Sequence, residues 1–144
     1  LKKVNSYYWY LAFGLMAVIS VLSDIPNLVF FEKILPPELY AWVIQYSIKW
    51  GSSGFFSYSI SPHPDYILHK LGHIFLFGFL GMALYLAMNR SVAKAAMAIT
   101  LLALADEIHQ GFTIGRSSRF GDVVLDAAAA MVFILFAIIR REKT

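Results

Sequence analysis

Four long apolar stretches leave this chain few ways to fold. They cover residues 7–22, 66–88, 91–110 and 122–139. About 20 residues of helix cross the hydrocarbon core of a bilayer, and a slightly shorter run is completed by interfacial side chains. A spanning segment must satisfy its own backbone hydrogen bonds, so apolar runs of this length form helices. The composition agrees: 59% of the 144 residues are hydrophobic and only 15% are charged. Soluble domains run nearer half apolar and a quarter charged. The expectation is an all-α polytopic membrane protein. It has four transmembrane helices in a single domain over residues 1–144, with no internal repeat.

Lys2 and Lys3 followed by an apolar run also fit a cleaved signal peptide. The run is long and no small-x-small site follows it, which favours an uncleaved first span. Four spans place both termini on one side. Lys2, Lys3, Arg90, Lys94, Arg140, Arg141 and Lys143, seven of the 12 basic residues, fall on that side, and every acid except Glu142 falls opposite. Basic loops stay in the cytoplasm, so the termini are expected inside. The basic residues are scattered over short loops rather than gathered in a stripe, so the net charge of +3 reads as topology and not as a nucleic-acid surface.

The first outer loop, residues 24–64, is broken by all five prolines. Within it, residues 37–50 read as a helix: Pro37 and Glu38 suit a first turn, and Leu39, Trp42, Val43 and Tyr46 follow at helical spacing. That is a candidate interfacial helix, with a helix packed on the bundle as the alternative. Residues 51–61 (GSSGFFSYSIS) read as a flexible loop. Cysteine is absent, which excludes disulfides, thiolate metal sites and a Cys nucleophile.

Acids and histidines gather at one end of the apolar runs. Residues 101–126, LLALADEIHQGFTIGRSSRFGDVVLD, carry an apolar run into Asp106, Glu107, His109 and Gln110, then a turn with Arg116 and Arg119, then Asp122 and Asp126. At about 100° per residue, Thr100, Ala103, Asp106, Glu107 and Gln110 share one arc, with Leu101, Leu104, Ala105 and Ile108 opposite. His109 lies off the arc of Glu107. His69 and His73 align four apart with Lys70 beside them, and Asp122 aligns with Asp126. All three clusters sit at the outer ends of their helices. Ionisable groups in spanning segments mark functional sites by default. The competing reading is an ion-pair network that only holds the helices in register.

Several chemistries suit such a set. Paired carboxylates whose environments differ can act as acid and base. Arg116 and Arg119 can grip phosphate or carboxylate with planar forks. Ser117 or Ser118 would need an aligned base to act as nucleophile. A metal would use His69 and His73 with Glu107 or Asp126, but H-E-x-x-H is absent, so no metal is assigned.

The ordered set Lys70 and His73, Glu107 and Gln110, Phe112, Arg116, then Asp122 and Asp126 resembles the VanZ-like family of bacterial membrane proteins. The resemblance extends over residues 64–140. Two positions depart from the family's pattern. His69 stands where an Asp often precedes the Lys, with Asp65 the nearest acid, and Ala127–Ala130 replace glycines of the last helix. Ser118-Arg119 with Asp122 faintly resembles a lipid-phosphatase signature, which is set aside because no histidine lies between Ser118 and Asp126.

The resemblance implies the cytoplasmic membrane of a bacterium and a cell-envelope role, and its founding members are tied to resistance to the glycopeptide teicoplanin. It implies no established reaction. Glu107, His73, Asp126 and Asp122 are the candidate catalytic groups. Lys70, Gln110, Arg116 and Arg119 are the candidate ligand-binding groups. Membrane lipids, a lipid-linked envelope precursor or a glycopeptide are the expected partners. No cofactor is indicated.

Overall fold

The computed structural model describes residues 6–26, 29–51 and 54–142. Lys2, Lys3 and Lys143, which enter the charge asymmetry, lie outside the described residues. Among the described residues, five helices and one small β-ribbon follow in chain order: α1 Ser6–Asp24, α2 Pro37–Ile44, β1 Ile48–Trp50, β2 Tyr58–Ile60, α3 Pro64–Ala87, α4 Val92–Gln110 and α5 Phe120–Glu142.

Among the described residues, three helices, α1, α3 and α5, are long and apolar enough to cross a membrane. The fourth expected span, α4, has 19 residues, and its last turns carry Asp106, Glu107, His109 and Gln110, which dilute its apolar character. The bundle has the polarity of a protein dissolved in lipid. Large apolar side chains such as Phe13, Phe75, Leu101 and Val132 are exposed, while Glu107 and Asp126 are fully buried. Water would invert that pattern, so the chain is a membrane protein.

Helix α3 is the hub and packs on α5, α1 and α4. It starts at His63, whose Nδ1 accepts the Asp65 N–H at 3.2 Å, and Pro64 follows where a missing N–H costs nothing. It ends at Asn89 and Arg90, both left-handed at φ 56° and 60°, with the Arg90 N–H donating to Tyr85 C=O at 2.8 Å. This tight reversal lets Ser91 cap α4 directly through the Lys94 N–H. Helices α3 and α5 approach each other closely at Gly81. A Cβ there would lie 2.5 Å from Ala130 Cβ on α5, so only hydrogen fits. Small residues permit such contact where water supplies no driving force.

The outer loop departs from expectation in three ways. The helix expected over residues 37–50 stops at Ile44. Ile48 and Trp50 instead pair with Ile60 and Tyr58 in an antiparallel ribbon, so the chain is not purely α. These are β-branched and aromatic residues, which favour extended backbone, and Gly51 and Gly54 supply positive φ for the turn. The stretch expected to be a flexible loop therefore contains a strand. The ribbon covers the α4–α5 connection, where the Phe120 N–H donates to Phe55 C=O at 2.7 Å and the two rings meet edge to face. Thr100 also departs from the buried arc: it is exposed, and its hydroxyl returns to Ala96 C=O at 2.8 Å. Ala103, Asp106, Glu107 and Gln110 of that arc are buried.

Candidate functional site

The polar residues gather at the end of the bundle where α3 and α5 begin and α4 ends. At the centre, His73 of α3 lies with its Nδ1 3.0 and 3.1 Å from the two carboxylate oxygens of Asp126 on α5. Phe77, one turn below, stacks parallel to the imidazole. With Nδ1–H donating to Asp126, Nε2 is the ring atom left for other work; the partner fixes the tautomer. Glu107 of α4 completes a buried trio with them, one ligand-type atom from each lying within 4.8 Å of the others. Its Oε2 accepts the Arg119 N–H at 2.7 Å, and its Oε1 has no partner.

One turn nearer the surface, the Lys70 ammonium is paired with Asp122 in a contact that is 12% and 6% exposed on its two sides. Lys70 also lies over the rings of Tyr58 and Tyr66. Burial pushes the Tyr58 phenol up, helped by its contact with Tyr66 and by the charge of Asp122, so it stays neutral beside the ion pair. Arg119 reaches Ser59 on β2 with its guanidinium.

Arg116 hangs from the α4–α5 turn and ties three elements together. Its Nη2 donates to Leu22 C=O at 2.6 Å, its Nε to Ile25 C=O at 3.3 Å, and its Nη1 lies 3.1 Å from His69 Nδ1. Burial lowers its pKa, while Asp106 and Glu107 act to raise it. Gln110 turns toward α1. It donates to Asp106 Oδ2 at 2.7 Å, and the Ser23 hydroxyl donates to Asp106 Oδ1 at 2.6 Å. Ser23 was not singled out in the sequence, because a lone serine at the end of an apolar run gives no signal there.

Two other residues have their partners outside the trio and the Lys70–Asp122 pair. Asp65, the acid nearest the site's Lys, borders the site but pairs with none of its cations among the described residues. Its carboxylate accepts the backbone N–H groups of Phe30, Phe31 and Glu32 at 2.8 to 3.0 Å and so fastens the outer loop to α3. His109 points away from Glu107, as its position on the wheel implies, and pairs with Asp24 at 2.8 Å in an exposed contact.

Two cavities meet at this end. A polar vestibule of about 340 Å³ is lined by Lys70, Arg116, Arg119, Asp122, Ser59 and Glu32, among others. An apolar cleft of about 100 Å³ runs beside it, lined by Ile19, Leu22, Leu68, Leu76 and Phe77, with His73 and Asp106 in its wall. Asp65, His69, Gln110 and Arg116 line both. Glu107 and Asp126 line neither and sit behind His73, so His73 is the member of the trio that reaches open space. The eight residues picked from sequence thus share one end of the bundle, but they divide into a vestibule set, a buried trio and the Ser23–Asp106–Gln110 group.

No curated protein and no solved structure matches the chain. The family model described as VanZ/LLP1 matches residues 7–141, which takes in the first helix and the outer loop as well as the motif-bearing part. Nearly the whole chain is covered, and the chain belongs to the VanZ/LLP1 family.

Proposed function

We propose that this protein holds an anionic amphiphile at the outer face of the bacterial cytoplasmic membrane, as a lipid or a lipid-linked envelope precursor. The headgroup occupies the vestibule and the chain lies along the apolar cleft. One observation carries the reading: His69, Gln110 and Arg116 line both a charged vestibule and an apolar slot. An amphiphile has that division of polarity, and ligand sites pair apolar walls with a few placed polar groups. Arg116 and Lys70 suit the anion, and His73 held by Asp126 supplies a base at the junction. Glu107 acts behind His73 on its charge state.

The reading places α4 across the membrane alongside the other three helices, with both termini cytoplasmic. Helix α2, eight residues with none buried, then lies at the outer interface. A link to glycopeptide resistance is proposed from the family resemblance alone; susceptibility to teicoplanin of cells with and without the protein tests it. The enzymatic form of the reading is tested on lipid extracts. Cells carrying wild type and Glu107→Gln should differ in one envelope lipid, and identical extracts with the variant stably inserted count against it.

A specific observation favours a second, structural reading. Each site cation already has an internal partner: Lys70 has Asp122, Arg116 has two carbonyls and Arg119 has Ser59. A network that only locks the bundle would show Arg116→Ala as a stability defect, with no separate loss of ligand binding.

A further inference from the structure

The vestibule and cleft account for Lys70, Arg116 and Arg119 but leave Glu107 Oε1, in the buried trio with His73 and Asp126, without a partner. We propose that His73, Glu107 and Asp126 form a binding site for one divalent transition-metal ion, of zinc-like character.

Three observations converge on it. First, the donors come from three different helices, α3, α4 and α5, and one ligand atom from each lies within 4.8 Å of the other two. Bonds of about 2.0–2.2 Å around a tetrahedral ion put ligand atoms roughly 3.4 Å apart, so side-chain rotation closes the set without moving a helix. His73 Nδ1 and Asp126 stand at 3.0 Å in a hydrogen bond, so these two ligand atoms already face each other and need only a few tenths of an ångström to admit an ion. Second, Glu107 has no exposed surface, its Oε2 is fixed by the Arg119 N–H, and its Oε1 is unpartnered. A buried carboxylate oxygen requires a partner. A proton placed on Oε1 would itself lack an acceptor, whereas a cation shared with Asp126 satisfies both carboxylates at once. Third, the neighbouring charges are spoken for. Lys70 neutralises Asp122 and leaves the two deeper carboxylates with one imidazole between them.

The donor set selects the ion. One imidazole and two carboxylates suit zinc or a neighbouring first-row metal better than magnesium or calcium, which prefer oxygen alone. Three protein ligands leave a coordination position for an exogenous group, and His73 borders the cleft from which one would arrive. The Arg119 N–H on Glu107 is the outer contact that holds that carboxylate in place. With Nδ1 on the metal, the ring proton moves to Nε2 and the imidazole binds in its neutral form.

The test uses the full chain purified in detergent, stripped with chelator and titrated with Zn²⁺. No lipid is added, so the result is independent of what fills the vestibule. One Zn²⁺ per chain is expected, with affinity reduced at least about tenfold in Glu107→Gln and in Asp126→Asn. Loading the wild type with Co²⁺ should give a visible absorption band of a nitrogen–oxygen ligand field. Should the variants fail to insert, that band alone decides. A wild type that takes up no stoichiometric Zn²⁺, or shows no Co²⁺ band, overturns the site. So does unchanged affinity in both carboxylate variants, which would place the metal elsewhere.

Discussion

Asp126 holds His73 from across the α3–α5 interface, with both carboxylate oxygens 3.0 and 3.1 Å from Nδ1. The two residues are 53 positions apart in the chain, and both are buried. Replacing Asp126 with Ala removes the acceptor and leaves a buried imidazole N–H unsatisfied. The expected cost is about 1–3 kcal/mol, read from unfolding in detergent. The double change His73→Phe with Asp126→Ala should recover part of that loss, because it removes both polar partners together. An additive double variant would mean that the pair is not coupled.

Lys70 and Asp122 form the second cross-helix pair, nearly closed to solvent. Removing one partner strands the other charge. Asp122→Leu and Lys70→Met are each expected to destabilise by roughly 3–5 kcal/mol, and the double variant by less than either alone. Unfolding midpoints of the three proteins give the coupling directly.

Gly81 sets the distance between α3 and α5. In Gly81→Ala the new methyl would meet Ala130 Cβ at 2.5 Å and its Cα at 3.0 Å. Overpacking of this kind costs about 1–3 kcal/mol. Ala130→Gly in the same chain should restore most of the stability. No recovery would show that the helices are not in contact there.

The charge distribution predicts termini in the cytoplasm, and the sequence contains no cysteine, so single introduced cysteines report the orientation. Ser117→Cys, exposed in the α4–α5 turn, should react with an impermeant thiol reagent in intact cells, while Lys94→Cys, exposed at the other end, should not. The reverse pattern would turn the site toward the cytoplasm.

Much of the polar end was legible because charge in an apolar run is conspicuous. The wheel put Asp106, Glu107 and Gln110 on one face of α4, and all three are buried. The four-residue spacing of His69 and His73 brings their rings within 4.7 Å. What stayed hidden depends on long-range partners. Periodicity says which face is inward, but not that Ser23, 83 residues away, will donate to Asp106. Nor does it show Asp65 gathering three N–H groups of the outer loop. The ribbon was missed for a local reason. Three residues per strand are too few for alternation to declare itself, and Trp42, Val43 and Tyr46 continued a helical spacing past the point where the helix ends.

The amphiphile reading is tested most directly by measuring which lipids stay with the purified protein. The chain is extracted from cell membranes in a mild detergent, and the bound lipids are identified by mass spectrometry against the composition of the bulk membrane. An anionic amphiphile enriched on the wild type, and lost from Arg116→Ala under conditions where that variant remains folded, is the expected result. Bound lipid that matches the bulk membrane and does not change in Arg116→Ala would contradict it.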